Sequence, residues 1–94
     1  MFAMVHNTII DIMCDFDIYG YQSDVIELDT PIPLNQLMSD LRHELNDNVI
    51  IVKRNDRSFD ICNGLTMYSV TYNEVIFANA IYNRYILDIT MVSF

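Results

Sequence analysis

The spacing of apolar residues changes at Thr30–Pro33, and this change constrains the fold of the 94-residue chain more than any other feature. Before it, from Ile10 to Ile18, every second residue is apolar, which is typical of a half-buried strand that could extend back to Val5. After it, apolar residues recur at helical spacing: Leu34, Leu37, Met38, Leu41 and Leu45. This pattern predicts an amphipathic helix over Pro33–Leu45.

Further strands are predicted on both sides of this helix. Val25–Leu28 follows a turn at Gly20 and is expected to pair with the first strand. Val49–Val52 is continuously apolar, which predicts a central strand, and Lys53–Arg57 is predicted to be a polar turn. Alternation resumes at Phe59 and Ile61.

The strongest hairpin signal is Asn63-Gly64, because a type I′ turn requires positive φ at both central positions. Leu65–Tyr72 would be the returning strand. Val75–Tyr85 has helical spacing, and we interpret it as a helix, although its β-branched and aromatic residues also fit a strand. Tyr85–Phe94 is predicted to be the last strand.

These elements predict a single domain over residues 1–94 of the α+β class. We expect an antiparallel sheet of about five to six strands, with one or two helices packed on one face.

Charge and hydropathy exclude several classes of protein. The chain has 13 acidic and 5 basic residues, a net charge of −8, and 52% apolar residues, too many for a disordered acidic tail. The negative balance disfavours direct nucleic-acid binding, and no apolar run approaches the ~20 residues of a membrane span. The N-terminal residues do not resemble a secretory signal, so we expect a cytoplasmic protein with Cys14 and Cys62 reduced.

No catalytic or metal-binding motif is present. His6 and His43 lack a metal-ligand partner at helical spacing, and the two glycines cannot form a phosphate-binding loop. Asp15-x-Asp17 lacks the third ligand and the glycine of a calcium loop. We therefore predict no enzymatic activity, no catalytic residues, no cofactor and no metal.

The acidic residues are concentrated in the first part of the chain. Residues 1–41 contain seven acids and no Lys or Arg, whereas four of the five bases lie between Arg42 and Arg57. On a strand, Asp15 and Asp17 would be about 6.7 Å apart on one face, matching every second phosphate of a DNA strand. The predicted partner-binding residues are Asp11, Asp15, Asp17, Asp24, Glu27 and Asp29.

In length, charge, aromatic content and lack of a catalytic set, the chain resembles small acidic phage proteins that mimic DNA. It is most similar in character to the anti-restriction nuclease proteins of T-even phages, and acidic anti-CRISPR proteins share the profile. The resemblance implies an inhibitor that occupies the DNA groove of a host nuclease or other DNA-binding protein, inside the bacterial host and often as a homodimer. The basic residues Lys53, Arg54 and Arg57 depart from this profile and would have to lie away from the binding face or form a dimer contact.

The alternative is a cytoplasmic protein-interaction or assembly module without DNA mimicry. In that case the charge provides solubility, and tyrosines, which are favoured at interfaces, would make the contact. The candidates are Tyr68, Tyr72, Tyr82 and Tyr85.

Overall fold

The computed structural model describes residues 5–75 and 84–93. Within these ranges two helices and five strands follow in the order α1 (Val5–Tyr19), β1 (Ser23–Leu28), α2 (Leu34–Glu44), β2 (Ile50–Asn55), β3 (Ser58–Asn63), β4 (Thr66–Val75) and β5 (Arg84–Ser93). The strands form one antiparallel sheet in the order β1-β5-β4-β3-β2. The predicted α+β class is confirmed.

Both helices pack on the same face of the sheet, which we call the helix-bearing face. The buried cluster joins α1 and α2 to alternate residues of the three central strands: Phe59, Ile61, Tyr68, Val70, Leu87 and Ile89. Directly paired residues of antiparallel strands point to the same side of the sheet, so the residues between these point the other way. We call that second side the open face.

The first predicted strand is wrong, because Ile10–Ile18 lies within the helix α1. The segment contains two apolar periods at once. Its buried residues are spaced as i, i+4, i+7, i+8 and i+11, and they are Val5, Ile9, Ile12, Met13 and Phe16. Cys14 and Ile18, which the strand reading would bury, are exposed. The helical period prevails because it gives one continuous stripe that packs onto the sheet.

The pairing of β1 also differs from the prediction. Val25–Leu28 is a strand, but it pairs with β5, with Glu27 opposite Ile86. Since the segment before it is a helix, β1 has no neighbouring strand in the first part of the chain. It therefore forms one edge of the sheet.

The run Val49–Val52 is not a central strand. Among the described strands β2 pairs only with β3, so it forms the other edge of the sheet. Ile50 is 61% and Val52 50% exposed on the open face. The strand also continues through Lys53 to Asn55, with a bulge, so the predicted turn is confined to Asp56 and Arg57.

The hairpin between β3 and β4 is confirmed, but its turn type is not I′. Asn63 pairs with Thr66, so the two turn residues are Gly64 and Leu65. Gly64 has a φ of +63°, and no other type of residue in the described ranges has a positive φ. A glycine with positive φ at the first turn position corresponds to type II′.

The remaining predictions concern α2 and the last third of the chain. The helix predicted over Pro33–Leu45 is confirmed as α2, and the last strand is confirmed as β5. Of the predicted helix Val75–Tyr85, residues 76–83 lie outside the described residues. Its two ends belong to strands: Val75 to β4 and Tyr85 to β5.

Candidate acidic interaction surface

Asp11 and Asp15 form an acidic stripe along the exposed side of α1. They are four residues apart, so they lie on the same side of the helix with a rise of about 6 Å between them. Tyr19, four residues further on, continues the stripe and is 65% exposed. The predicted placement of Asp15 and Asp17 on one face of a strand is wrong, because the segment is a helix and Asp17 lies on a different side of it.

Asp17 fastens α1 to the sheet. Its Oδ1 accepts a hydrogen bond of 2.6 Å from the hydroxyl of Tyr68, which is only 1% exposed. Phe16 stacks on the ring of Tyr68 with a centroid distance of 6.4 Å. Burial, the hydrogen bond to Asp17 and the charge of Asp17 all raise the pKa of Tyr68. Asp17 therefore already has a buried partner.

The two acids on β1 point to opposite faces of the sheet. Asp24 is opposite the buried Ile89 and so belongs to the helix-bearing face, where its Oδ1 accepts a hydrogen bond of 2.8 Å from the Val25 N–H. Glu27 is on the open face and forms an ion pair of 3.0 Å with Arg84. Asp29 is exposed just beyond the end of β1.

Exposed aromatic residues lie between the acidic stripe of α1 and Asp24 along the chain. Tyr21 is 59% exposed, and its ring lies 5.7 Å from that of Tyr19. We call the set Asp11, Asp15, Tyr19, Tyr21 and Asp24 the acidic corner. Within the described part of the chain, no basic side chain forms an ion pair with its three carboxylates.

The tyrosines nominated from the sequence are not the exposed ones. Tyr68 is buried, and Tyr72 and Tyr85 are half-buried on the helix-bearing face, with ring centroids 6.0 Å apart. Tyr82 lies outside the described residues. Reading α1 as a helix would have found Tyr19, since it falls off the apolar stripe and just before the helix-ending Gly20.

The basic residues are gathered at the edge of the sheet farthest from β1. Lys53 and Arg54 lie on β2, and Arg57 follows in the turn. The helix α2 lies beside this edge, because Arg42 donates to the Ile51 carbonyl at 3.2 Å and Lys53 donates to Asn35 Oδ1 at 3.3 Å. Arg84, the remaining base, is paired with Glu27. The fold therefore places four of the five basic residues at the edge opposite Asp24.

Other kinds of site find little support in the described ranges. No group of three or more His, Cys, Asp or Glu side chains in residues 5–75 and 84–93 could hold a metal ion. None of the helices described there is long and apolar enough to cross a membrane. An open cleft of about 330 Å³ lies between the end of α2 and the start of β2, on the basic side of the molecule, with Arg42 and Asp47 among its lining residues.

Comparison with known proteins adds no relative to this description. The chain matches no protein-family model, no characterised protein and no solved structure.

Proposed function

We propose that this protein is a DNA-mimicking inhibitor of a host DNA-binding defence protein, such as a restriction nuclease or a CRISPR effector. It would act in the cytoplasm of a bacterial cell by competing with DNA for a basic groove. The observation that carries the proposal is the one-sided placement of the basic residues in the fold. Asp24 of the acidic corner lies on the β1 edge and α1 contains no Lys or Arg, whereas four of the five basic residues gather around β2.

The chemistry of the acidic corner suits a groove that holds phosphates. Asp11 and Asp15 are about 6 Å apart along the helix axis, close to the ~6.8 Å rise between every second phosphate of one DNA strand. Lys and Arg side chains that normally bind phosphate would instead meet these carboxylates. Tyr19 and Tyr21 add exposed ring faces, on which an arginine guanidinium can stack.

The acids of α1 oppose the local preferences of a helix, which also supports a role in binding. Like charges four residues apart destabilise a helix by about 0.2–0.5 kcal/mol. The last turn contains no basic residue, although cations are favoured at the negative end of the helix dipole. Departures from local preference concentrate at functional sites.

Affinity capture from a bacterial lysate tests the proposal directly. We expect the immobilised protein to retain a DNA-binding protein that is released both by duplex DNA and by raising NaCl from about 50 to 500 mM, because salt screens the charges. The double variant Asp11→Asn/Asp15→Asn should lose most of this capture.

A matched control removes the same number of charges elsewhere. Asp47→Asn/Asp56→Asn changes two exposed acids near the basic edge and should retain the captured protein. The proposal fails if both double variants behave alike, or if neither DNA nor salt competes for what is retained.

The exposed residues Ile18, Tyr19 and Tyr21 favour a second candidate, a protein-interaction module without mimicry. Tyr19→Ser/Tyr21→Ser separates the two functions. If this variant loses the captured protein and Asp11→Asn/Asp15→Asn retains it, the result would support the interaction module instead.

A further inference from the structure

The open face of the sheet carries a continuous apolar row among polar residues. In the typical antiparallel sheet with one solvated side, the outward residues are polar. Here one row of side chains crosses four neighbouring strands and contains three apolar residues and a cysteine. The row is Ile50, Cys62, Met67 and Val92, each of which is directly paired with the next. Further apolar residues on this face are Val25, Val52, Val75 and Ile86.

The charged side chains on the open face already have partners within the chain. Arg54 Nη2 lies 2.7 Å from Asp60, whose Oδ1 also accepts a hydrogen bond of 2.8 Å from Ser69. Asp88 accepts a hydrogen bond of 2.8 Å from Asn73, and Glu27 is paired with Arg84. These two positive and three negative side chains give the face a net charge of −1, out of −8 for the whole chain. Two copies could therefore meet here with little repulsion.

We infer that the open face is the interface of a symmetric homodimer, in which the two sheets pack face to face. Five strands at about 4.8 Å spacing, each of six to ten residues, present roughly 500–800 Å². A standard interface buries about 800 Å² from each partner. The occupant that matches both the low charge and the extent of this face is a second copy of the chain.

Pairing through the sheet edges is less favourable. Two β1 edges would bring Asp24 and Glu27 of both copies together, and like charges oppose such pairing. The β2 edge has a bulge and two basic residues, features that protect an edge strand from pairing. Pairing β1 with β2 would match their charges, but this contact is heterologous and tends to produce open chains of copies.

Sedimentation equilibrium over about three orders of magnitude in concentration tests the inference. We expect the wild type to be a dimer at the upper end. Val52→Glu/Val92→Glu should weaken self-association by about 100-fold or more, because each dimer would bury four carboxylates. Ile18→Glu adds a charge at an exposed apolar residue of α1, away from this face, and should leave the dimer unchanged.

The two free cysteines provide a second measurement that needs no substitution. Cys14 is exposed on α1, whereas Cys62 lies in the apolar row of the open face. Dimerisation should slow the labelling of Cys62 by a thiol reagent several-fold as protein concentration rises, and leave Cys14 unaffected. A monomer at every concentration, an open-ended series of masses, or a dimer with unprotected Cys62 would overturn the inference. None of these outcomes depends on the proposed inhibitory function.

Discussion

At the scale of single residues, the contact between Tyr68 and Asp17 distinguishes an acid that stabilises the fold from the acids that can bind a partner. A buried hydroxyl bonded to a carboxylate stabilises a fold by about 1.5–3 kcal/mol, which is more than a neutral hydrogen bond contributes. The contact ties α1 to β4 across 51 positions of sequence. Neutralising Asp17 would therefore confuse loss of binding with loss of stability, which is why the variants proposed above leave it intact.

The raised pKa of Tyr68 predicts alkaline instability. In the unfolded chain the hydroxyl ionises near its ordinary pKa of about 10, whereas the folded chain keeps its proton to higher pH. The stabilisation is complete below about pH 10 and declines as the pH rises above it, by up to about 1.4 kcal/mol per pH unit. Urea unfolding at pH values from about 8 to 11 measures this decline, since pH 11 is about one unit above the ordinary pKa.

Tyr68→Phe provides the comparison. It should be less stable than the wild type at neutral pH by about 1.5–3 kcal/mol, and its stability should decline less steeply above pH 10. Part of the decline remains, because burial also raises the pKa of Tyr72. For Asp17→Asn, the decline of stability with pH should be intermediate between those of the wild type and Tyr68→Phe. Equal alkaline slopes for wild type and Tyr68→Phe would contradict this assignment.

At the scale of elements, the sequence was sufficient where the signal is local. The helix α2 has one apolar stripe and polar residues on its other side, and the β3–β4 hairpin has its glycine at the turn. For α1 two periods compete, and the choice depends on packing against strands that follow much later in the chain. Whether β2 is central or at an edge is likewise decided by distant pairing, which no window of sequence contains.

Gly20 gives a test at the junction between α1 and β1. It has a φ of +73°, and its N–H donates to the Phe16 carbonyl at 2.9 Å, an αL cap of the helix. A Cβ built there meets nothing within 4 Å, so the cost of Gly20→Ala comes from the backbone alone, about 1–2 kcal/mol. Gly20→Asn should cost less, because asparagine tolerates this conformation. The urea midpoints of the two variants measure these costs in stability. Equal destabilisation by Gly20→Ala and Gly20→Asn would argue against the αL cap.

At the scale of the whole molecule, the sequence alone placed the acids in the first part of the chain but could not show how the fold arranges them. Asp11, Asp15 and Asp24 share the helix-bearing side. Asp17 and Glu27 have partners of their own, and Glu27 lies on the other face. Four basic residues lie at the edge opposite Asp24 because the strand order joins β1 to the last strand and leaves β2 outermost.

The carboxylates of the acidic corner predict how the stability of the fold responds to salt. Repulsion within the acidic corner is unrelieved at low ionic strength, so NaCl should raise the urea midpoint of the wild type. Asp11→Asn/Asp15→Asn should be more stable at low salt by about 0.2–0.5 kcal/mol and gain less from added salt.

Asp47→Asn/Asp56→Asn again serves as the control. Asp56 lies 4.0 Å from Lys53, so its neutralisation removes an attraction and should bring no stabilisation. Equal stabilisation by both double variants at low salt would show that net charge matters and its placement does not.

The position of β1 also has a consequence for the order of folding. β2, β3 and β4 follow one another through short turns, so they can pair early, and β5 can then be added beside β4. β1 cannot pair until β5 has been synthesised, since its partner residues lie far along the chain. Glu27 and Ile86, for example, are 59 positions apart. During synthesis, the strand that bears Asp24 therefore emerges among the first and docks among the last. The acidic corner is completed only when the final strand is in place, so a partly synthesised chain would carry the charge without the surface.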